Sequence, residues 1–443
     1  MDIATLLPNI GGTAFTLVAF VVALSVIVAV HEYGHYIVGR WSGIHAEVFS
    51  LGFGPVLFSR RDRRGTLWQV AALPFGGYVK FLGDSDAASG KDAGAIAELS
   101  AQEKRRTMHG APLWARAATV AAGPVFNFIM SIAIFAGIVL VGGQMRDPLT
   151  VGDIRAVPAE VNELRPGDEI LAIGGVSVDE GLGVIRDDIP KEAVVEYRIR
   201  RDGTEATVTA PYPFPAVVSQ LTPQSAAYDA GLRPGDVLIE VDDQPIFAFD
   251  ALKDVVESSD GRPIPLTVWS MGETRSVTLL PRRVDEPGPD GGFVTNWRIG
   301  IAGGMLFEPA TERAGVVDAL GYGVTQTGFI IQSSLSGLWH MITGAISTCN
   351  MSGPIGIAEA SGAMASQGVS SFIWFIAVLS TAVGLLNLFP IPVLDGGHLV
   401  FHAWEALTGS PPSDRALRIL MTGGLAIILS LMVFALSNDL FCP

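Results

Sequence analysis

Charge and cysteine are both scarce in this chain. Of its 443 residues only 16% are charged, and its two cysteines, Cys349 and Cys442, lie far apart. They make neither a CxxC site nor a disulfide framework, so they say little about function. Basic residues are the minority, 29 Lys and Arg against 44 Asp and Glu. A net charge of −15 offers no footing for nucleic acid. No Lys or Arg precedes the first apolar run, whereas Asp2 does, and His31-Glu32 stands where a signal peptide would carry small cleavage-site residues. The stretch 150–283 contains no His at all.

Apolar residues are abundant, 49% of the chain. The length suggests two or three structural units. Four runs, 13–30, 117–141, 372–394 and 419–436, are long enough to cross a bilayer core of ~30 Å. The second holds Pro124 and Asn127, and the third ends in Pro390 and Pro392, so neither is a plain lipid-facing rod. Between the first two lies a loop with Arg60, Arg61, Arg63, Arg64, Lys80, Lys104, Arg105 and Arg106. Short basic loops stay in the cytoplasm, and Arg415 and Arg418 put the loop after the third run on the same side. Both termini and the long segment 146–312 are then expected on the opposite side.

That segment is different in kind. It carries 29 acidic and 15 basic residues, nearly the whole excess charge of the chain. It also repeats itself. Leu164-Arg165-Pro166-Gly167-Asp168 and Leu232-Arg233-Pro234-Gly235-Asp236 each precede an apolar strand-like run, which predicts two tandem β-rich modules. The second copy follows Thr222-Pro223-Gln224-Ser225-Ala226-Ala227-Tyr228-Asp229-Ala230-Gly231 and resembles PDZ domains, which take an extended peptide as an added strand. The first copy lacks that lead-in.

At the end of the first run stands His31-Glu32-Tyr33-Gly34-His35. Four residues apart on a helix, His31 and His35 share a face and can bind one metal ion. Glu32 sits beside them as a carboxylate able to take a proton from an attacking water. Ionisable groups at membrane depth are costly, and by default they are functional. A catalytic zinc takes three protein ligands. The third is expected from Asn387-Leu388-Phe389-Pro390-Ile391-Pro392-Val393-Leu394-Asp395-Gly396-Gly397, where the prolines force the helix open and Asp395 follows the break. His398 and His402 form a second pair four apart with no Glu between, and they read as ordinary polar residues. His45, His109 and His340 stand alone.

HExxH at the end of a first span, Asn-x-x-Pro-x-Pro-x-Leu-Asp-Gly late in the chain and PDZ-like repeats between them resemble the site-2 protease family of zinc intramembrane metalloproteases. The resemblance covers nearly the whole chain. It implies zinc held by His31, His35 and Asp395, Glu32 as the catalytic carboxylate, and Asn387 as a group that binds substrate or the developing oxyanion. Ser50-Leu51-Gly52-Phe53-Gly54-Pro55 and Leu73-Pro74-Phe75-Gly76-Gly77-Tyr78-Val79-Lys80 resemble the family's membrane-re-entrant β-hairpin. Gly52, Phe53, Gly54, Gly76 and Gly77 are therefore expected to bind substrate. A transmembrane substrate must unwind before it is cut, and a strand edge can accept its freed amides. Gly123-Pro124-x-x-Asn127-Phe128 resembles the family's second-helix motif, and Ser352-Gly353-Pro354-Ile355-Gly356-Ile357 a further segment.

The expected architecture is a polytopic α-helical membrane protein, with about four transmembrane helices, a membrane-associated β-hairpin region and two tandem PDZ-like domains. The boundaries are a first membrane part at 1–142, PDZ-like domains at 143–215 and 216–284, a linker and amphipathic segment at 285–345, and a second membrane part at 346–443. By resemblance the protein sits in a bacterial inner membrane with its PDZ-like domains periplasmic. It cuts single-span substrates in the cytoplasmic half of the bilayer. Those substrates are an anti-sigma factor already trimmed by an upstream site-1-type protease, or remnant signal peptides. A zinc-binding membrane scaffold or transporter would need the same ligands but not Glu32, so Glu32 favours the enzyme.

Overall fold

The computed structural model describes residues 3–85, 93–179, 185–288 and 293–442. It divides into two compact units. One comprises 1–137, 319–339 and 351–442, and the other is built from 138–318 with 340–350.

The described residues form seven long helices: α1 (Ile3–Trp41), α2 (Leu113–Gly142), α3 (Val316–Ile342), α4 (Pro354–Ser366), α5 (Val369–Asn387), α6 (Asp395–Thr408) and α7 (Asp414–Phe441). Four of them, α1 from Gly12 onward, α2, α5 and α7, are long and apolar enough to cross a membrane. These are the four runs expected, with different ends, two of which bear on the site. α1 does not stop at the apolar run but carries its helix through the HExxH pentapeptide to Trp41. α5 ends at Asn387, short of residue 394. The amides of Leu388 and Phe389 drop to three-residue bonds, onto Leu385 and Leu386. Pro390 then lacks an amide altogether and disfavours helical backbone in the residue before it.

In the first unit, α1, α2 and α5 share a core of Ala23, Ile27 and Ile376 with Met130, Ile134 and Leu379 around it. Small residues bring backbones together: a Cβ on Gly34 would lie 2.5 Å from the Ala122 carbonyl oxygen. Ser131 Oγ donates to the Ala377 carbonyl at 2.8 Å, and Ser380 Oγ to that of Asn127 at 2.9 Å. Where lipid is as apolar as the helix surface, such close packing and interhelical hydrogen bonds hold spans together.

Strands β1 (Ala46–Arg61) and β2 (Leu67–Phe81) are long and sharply bent. Residues 48–51 pair on one side with 77–80 and on the other with 67–70, while 56–61 pair with 67–71. Two strands thus make a curled sheet, packed by Phe49, Val79 and Phe81 onto Tyr36 of α1 and Ala115 and Val120 of α2. Gly52 holds φ +89°, and a Cβ there would press on the Leu73 carbonyl at 2.8 Å. Only glycine takes that bend cheaply.

The second unit holds two four-stranded sheets of the same order. In one, Val176–Ser177, Glu169–Ile173, Val194–Arg201 and Thr204–Pro211 are neighbours in that sequence; in the other, Gln244–Pro245, Val237–Val241, Ile264–Ser270 and Glu273–Leu279. The repeated Pro-Gly-Asp does the same work twice. Asp168 accepts from the Arg165 amide at 2.8 Å and pairs with Arg201 at 2.7 Å. Asp236 accepts from the Arg233 amide at 3.0 Å and pairs with Arg275 at 2.9 Å. Burial alone would push the Asp168 carboxyl up, but the Arg201 guanidinium and the Arg165 amide hold it below the usual carboxylate range.

The stretch expected as linker is not bare chain. Arg282–Pro287 and Phe293–Arg298 form a hairpin, Ile301–Gly303 pairs with Val218–Leu221, and Phe307–Pro309 with Val151–Ile154. Each module thus takes a strand from beyond the repeat region, a non-local pairing that local periodicity does not register. The end of that stretch is taken up by α3. Neither cysteine is a free thiol; both are disulfide-bonded, which their sequence separation had not suggested.

Candidate active site

His31 and His35 lie one turn apart on α1, their Nε2 atoms 3.2 Å from each other. Asp395 Oδ2 reaches in from the first turn of α6, 3.2 Å from His31 Nε2 and 3.5 Å from His35 Nε2. Although so close, Oδ2 is buried and makes no hydrogen bond. Three electron-rich atoms therefore converge on one point without satisfying each other. Tetrahedral zinc, with bonds of about 2.0–2.2 Å, sets its ligand atoms roughly 3.3–3.5 Å apart. Among the described residues this is the only His, Cys, Asp and Glu group with such convergence. The donor set fits zinc.

The other ring nitrogens fix which lone pairs are free. His35 Nδ1 stands 2.8 Å from the Thr119 carbonyl, which can only accept, so Nδ1 carries the proton and Nε2 is a donor to metal. His31 Nδ1 stands 3.2 Å from the Asn127 amide group, whose Oδ1 is buried without a partner. With that amide turned end for end, Nδ1–H donates to Oδ1 and His31 Nε2 is likewise free. Gly123, on the same face of α2, leaves the room: a Cβ there would lie 2.4 Å from His35 Nε2 and 2.7 Å from His31 Nε2. Gly123 and Asn127 were visible only as part of a motif, and Thr119 was not singled out at all. The three stand four residues apart at each step along α2, and that spacing is the signal that could have placed them on the face turned to α1.

Glu32 is backed by β2. The Val79 amide donates to its carboxylate, and a Cβ on Gly77 would come within 3.1 Å of its Cγ. Of the expected hairpin residues, Gly77 therefore lies at the site. Phe53 is 40% exposed, stacks on Tyr78 and lies against Gly76; Gly54 holds φ +82°.

Asp395 is held in place by the non-helical stretch before it. Val393 adopts φ +93°, a strained setting for a β-branched residue that costs about 1–3 kcal/mol. The Leu388, Phe389 and Ile391 carbonyls lie against Gly396 and Gly397, where any Cβ would collide. Arg116 of α2 grips Glu405 of α6 through two hydrogen bonds, 2.9 and 2.6 Å. Asn387 is half-buried and its Nδ2 donates to the Val383 carbonyl of its own helix at 3.0 Å. Its hydrogen bond is thus local and not to the His-Glu-Asp group. The second histidine pair stays outside. Burial pushes His402 down to about 4 and lowers His398 as well, so both rings are neutral.

Two imidazoles one helical turn apart, a third carboxylate ligand from another segment and a glutamate beside them make a metallopeptidase centre. The sequence matches the model of peptidase family M50 over residues 19–431. A protein of Agrobacterium fabrum named as a zinc metalloprotease is 36% identical, the match covering 96% of this chain and 95% of that one. One of Rhizobium meliloti with the same kind of name is 37% identical over 96% of each. The regulator of sigma-E protease RseP of Salmonella typhimurium is 31% identical over 96% of this chain and 98% of its own. The chain belongs to peptidase family M50, the site-2 proteases, and is a membrane-embedded zinc metalloprotease. The scaffold and transporter readings fall away.

Proposed function

We propose that this protein hydrolyses peptide bonds inside the transmembrane segments of single-span proteins. The observation that carries the reading is the placement of the His31, His35 and Asp395 cluster on helices of the membrane unit, with His31 and His35 on a candidate span. In this reading the three residues hold the zinc, which when bound polarises a carbonyl and acidifies water. Glu32 takes a proton on its carboxylate from the attacking water and passes it to the leaving amine. The Val79 amide keeps that carboxylate in place. Strand edges of β1 and β2, with Gly52, Phe53, Gly54, Gly76 and Gly77, hold the unwound substrate as an added strand. Asn387 swings from Val383 to support the oxyanion.

The basic loop supports a cytoplasmic position for the active-site end of α1, and disulfide-bonded Cys349 and Cys442 suit an oxidising compartment on the other side, as in a bacterial inner membrane facing a periplasm. The resemblance to a regulator of sigma-E protease supports an anti-sigma factor, trimmed first by a site-1-type protease, as substrate; remnant signal peptides fit the same chemistry. Reconstitution in liposomes with a single-span substrate tests this, the cut being mapped by mass spectrometry. A cut confined to soluble loops sinks the reading. Asn387→Leu is expected to lower turnover about a hundredfold with zinc content unchanged, on the usual worth of an oxyanion donor. Unchanged turnover would leave Asn387 a helix-end residue only.

The two modules, read as PDZ-like domains, restrict which proteins reach the site. They can be removed cleanly, because Met145 pairs with Thr311 and Gln144 with Glu312, bringing the two ends together. Joining 145 to 311 is expected to spare cleavage of a trimmed substrate and admit untrimmed ones. Continued refusal of untrimmed substrates, with trimmed ones cut normally, would reduce the modules to a spacer.

A further inference from the structure

Beyond the catalytic centre, the last turn of α1 opens onto a second feature. A cavity of about 460 Å³ is lined by Tyr36, Arg40, His45, Arg64, Thr66 and Arg106. Three separate segments deliver its arginines. Arg40 lies in the last turn of α1, Arg64 sits in the turn between β1 and β2, and Arg106 follows the short helix Ala101–Lys104. The segments are pinned there by backbone bonds, the His45 amide donating to the Arg106 carbonyl at 2.9 Å and Thr66 Oγ1 to that of Ala46 at 2.9 Å. Among the described residues, no carboxylate closes an ion pair with Arg40, Arg64 or Arg106. The neighbouring acids are already engaged: Asp62 accepts from the Arg64 and Thr66 amides, Tyr36 Oη and Trp68 Nε1, and Glu103, whose charge Arg106 meets, accepts from the Ser100 amide and hydroxyl. Arg40 donates to Tyr36 Oη at 2.7 Å, which leaves its remaining N–H groups free to meet a ligand.

Three guanidinium groups around a cavity of this size, with little counter-charge, suit a phosphate, whose oxygens match the planar fork of arginine. The surroundings favour a lipid phosphate over a soluble one. Trp41, beside Arg40, is 74% exposed, and Leu57 and Phe58 on β1 are 71% and 64% exposed. An exposed Trp next to basic residues at the end of an apolar helix is the pattern of a membrane–water interface, and basic pockets at cytoplasmic helix ends take anionic headgroups. We propose that this cavity binds the phosphate headgroup of an anionic phospholipid and thereby seats the base of the β1–β2 sheet at the membrane surface. The inference needs α1 to cross the bilayer but does not depend on where the protease cuts.

The test uses the purified full chain in uncharged detergent, with native mass spectrometry counting bound short-chain phosphatidylglycerol or phosphatidylcholine. The wild-type chain is expected to retain phosphatidylglycerol at least tenfold better, and inorganic phosphate at equal concentration is expected not to displace it. The variant Arg64→Gln/Arg106→Gln should lose at least nine-tenths of that retention. Arg60→Gln/Arg63→Gln, which removes equal charge from residues that do not line the cavity, should keep at least half. Zinc content, unchanged in both variants, shows that they are folded. Equal retention of the two lipids by the wild-type chain overturns the proposal whatever the variants do. Equal loss in the two double variants reduces the effect to net charge, and displacement by inorganic phosphate makes the ligand a soluble anion; either result also overturns it.

Discussion

The variant Glu32→Gln is expected to bind zinc as fully as the native chain and to cleave at least a thousandfold more slowly. Gln is nearly the shape of Glu, and its Oε1 still accepts from the Val79 amide, so neither the turn of α1 nor its packing on β2 is disturbed. The three atoms that converge for the metal belong to His31, His35 and Asp395, none of which changes. What is lost is a proton acceptor next to the attacking water, and a positioned general base is worth about 10²–10⁴ in rate. Zinc is counted by elemental analysis and cleavage by gel assay on a single-span substrate. His35→Ala supplies the contrast, since it deletes a ligand and should lose both metal and activity. A Glu32→Gln enzyme of near-native rate would remove Glu32 from the chemistry.

The parts of this molecule that local pattern controls were legible in the sequence. Four apolar runs became four long helices, and the two Pro-Gly-Asp copies became two sheets of one order, each with its Asp gripped by an arginine. His31 and His35 were legible because helical spacing alone puts them on one face. Asp395 was legible because Pro390 and Pro392 announce a break that needs a reason. What stayed hidden depends on partners distant in sequence. The strands 301–303 and 307–309 are ordinary stretches until they meet residues 218–221 and 151–154. Val393 carries its strain with no sequence mark, since a β-branched residue is the last to be expected at positive φ. The support for the two histidines comes from a carbonyl of Thr119, an amide of Asn127 and the missing side chain of Gly123, and two of these three involve no side-chain chemistry at all.

Gly123 yields the sharpest structural expectation. Gly123→Ala is expected to cut zinc occupancy at least tenfold, and activity with it, in a protein that still folds. The added methyl would lie 2.4 Å from His35 Nε2, 2.6 Å from its Cε1 and 2.7 Å from His31 Nε2, all well inside contact distance. Those atoms cannot yield easily. His35 is tethered through Nδ1 to the Thr119 carbonyl, and α1 is held against α2 by the close approach of Gly34 to Ala122. The collision therefore falls on the two nitrogens that face the metal. Helix stability runs the other way, for Ala inside a helix is favoured over Gly by about 1 kcal/mol, so α2 itself is not weakened. Gly137→Ala is the control, on the same helix, where a Cβ meets nothing within 4 Å. It should keep native zinc and activity. If Gly123→Ala retained its metal as well as Gly137→Ala does, the two imidazoles would have to bind somewhere other than the point on which Asp395 converges, and the three-ligand centre would be wrong.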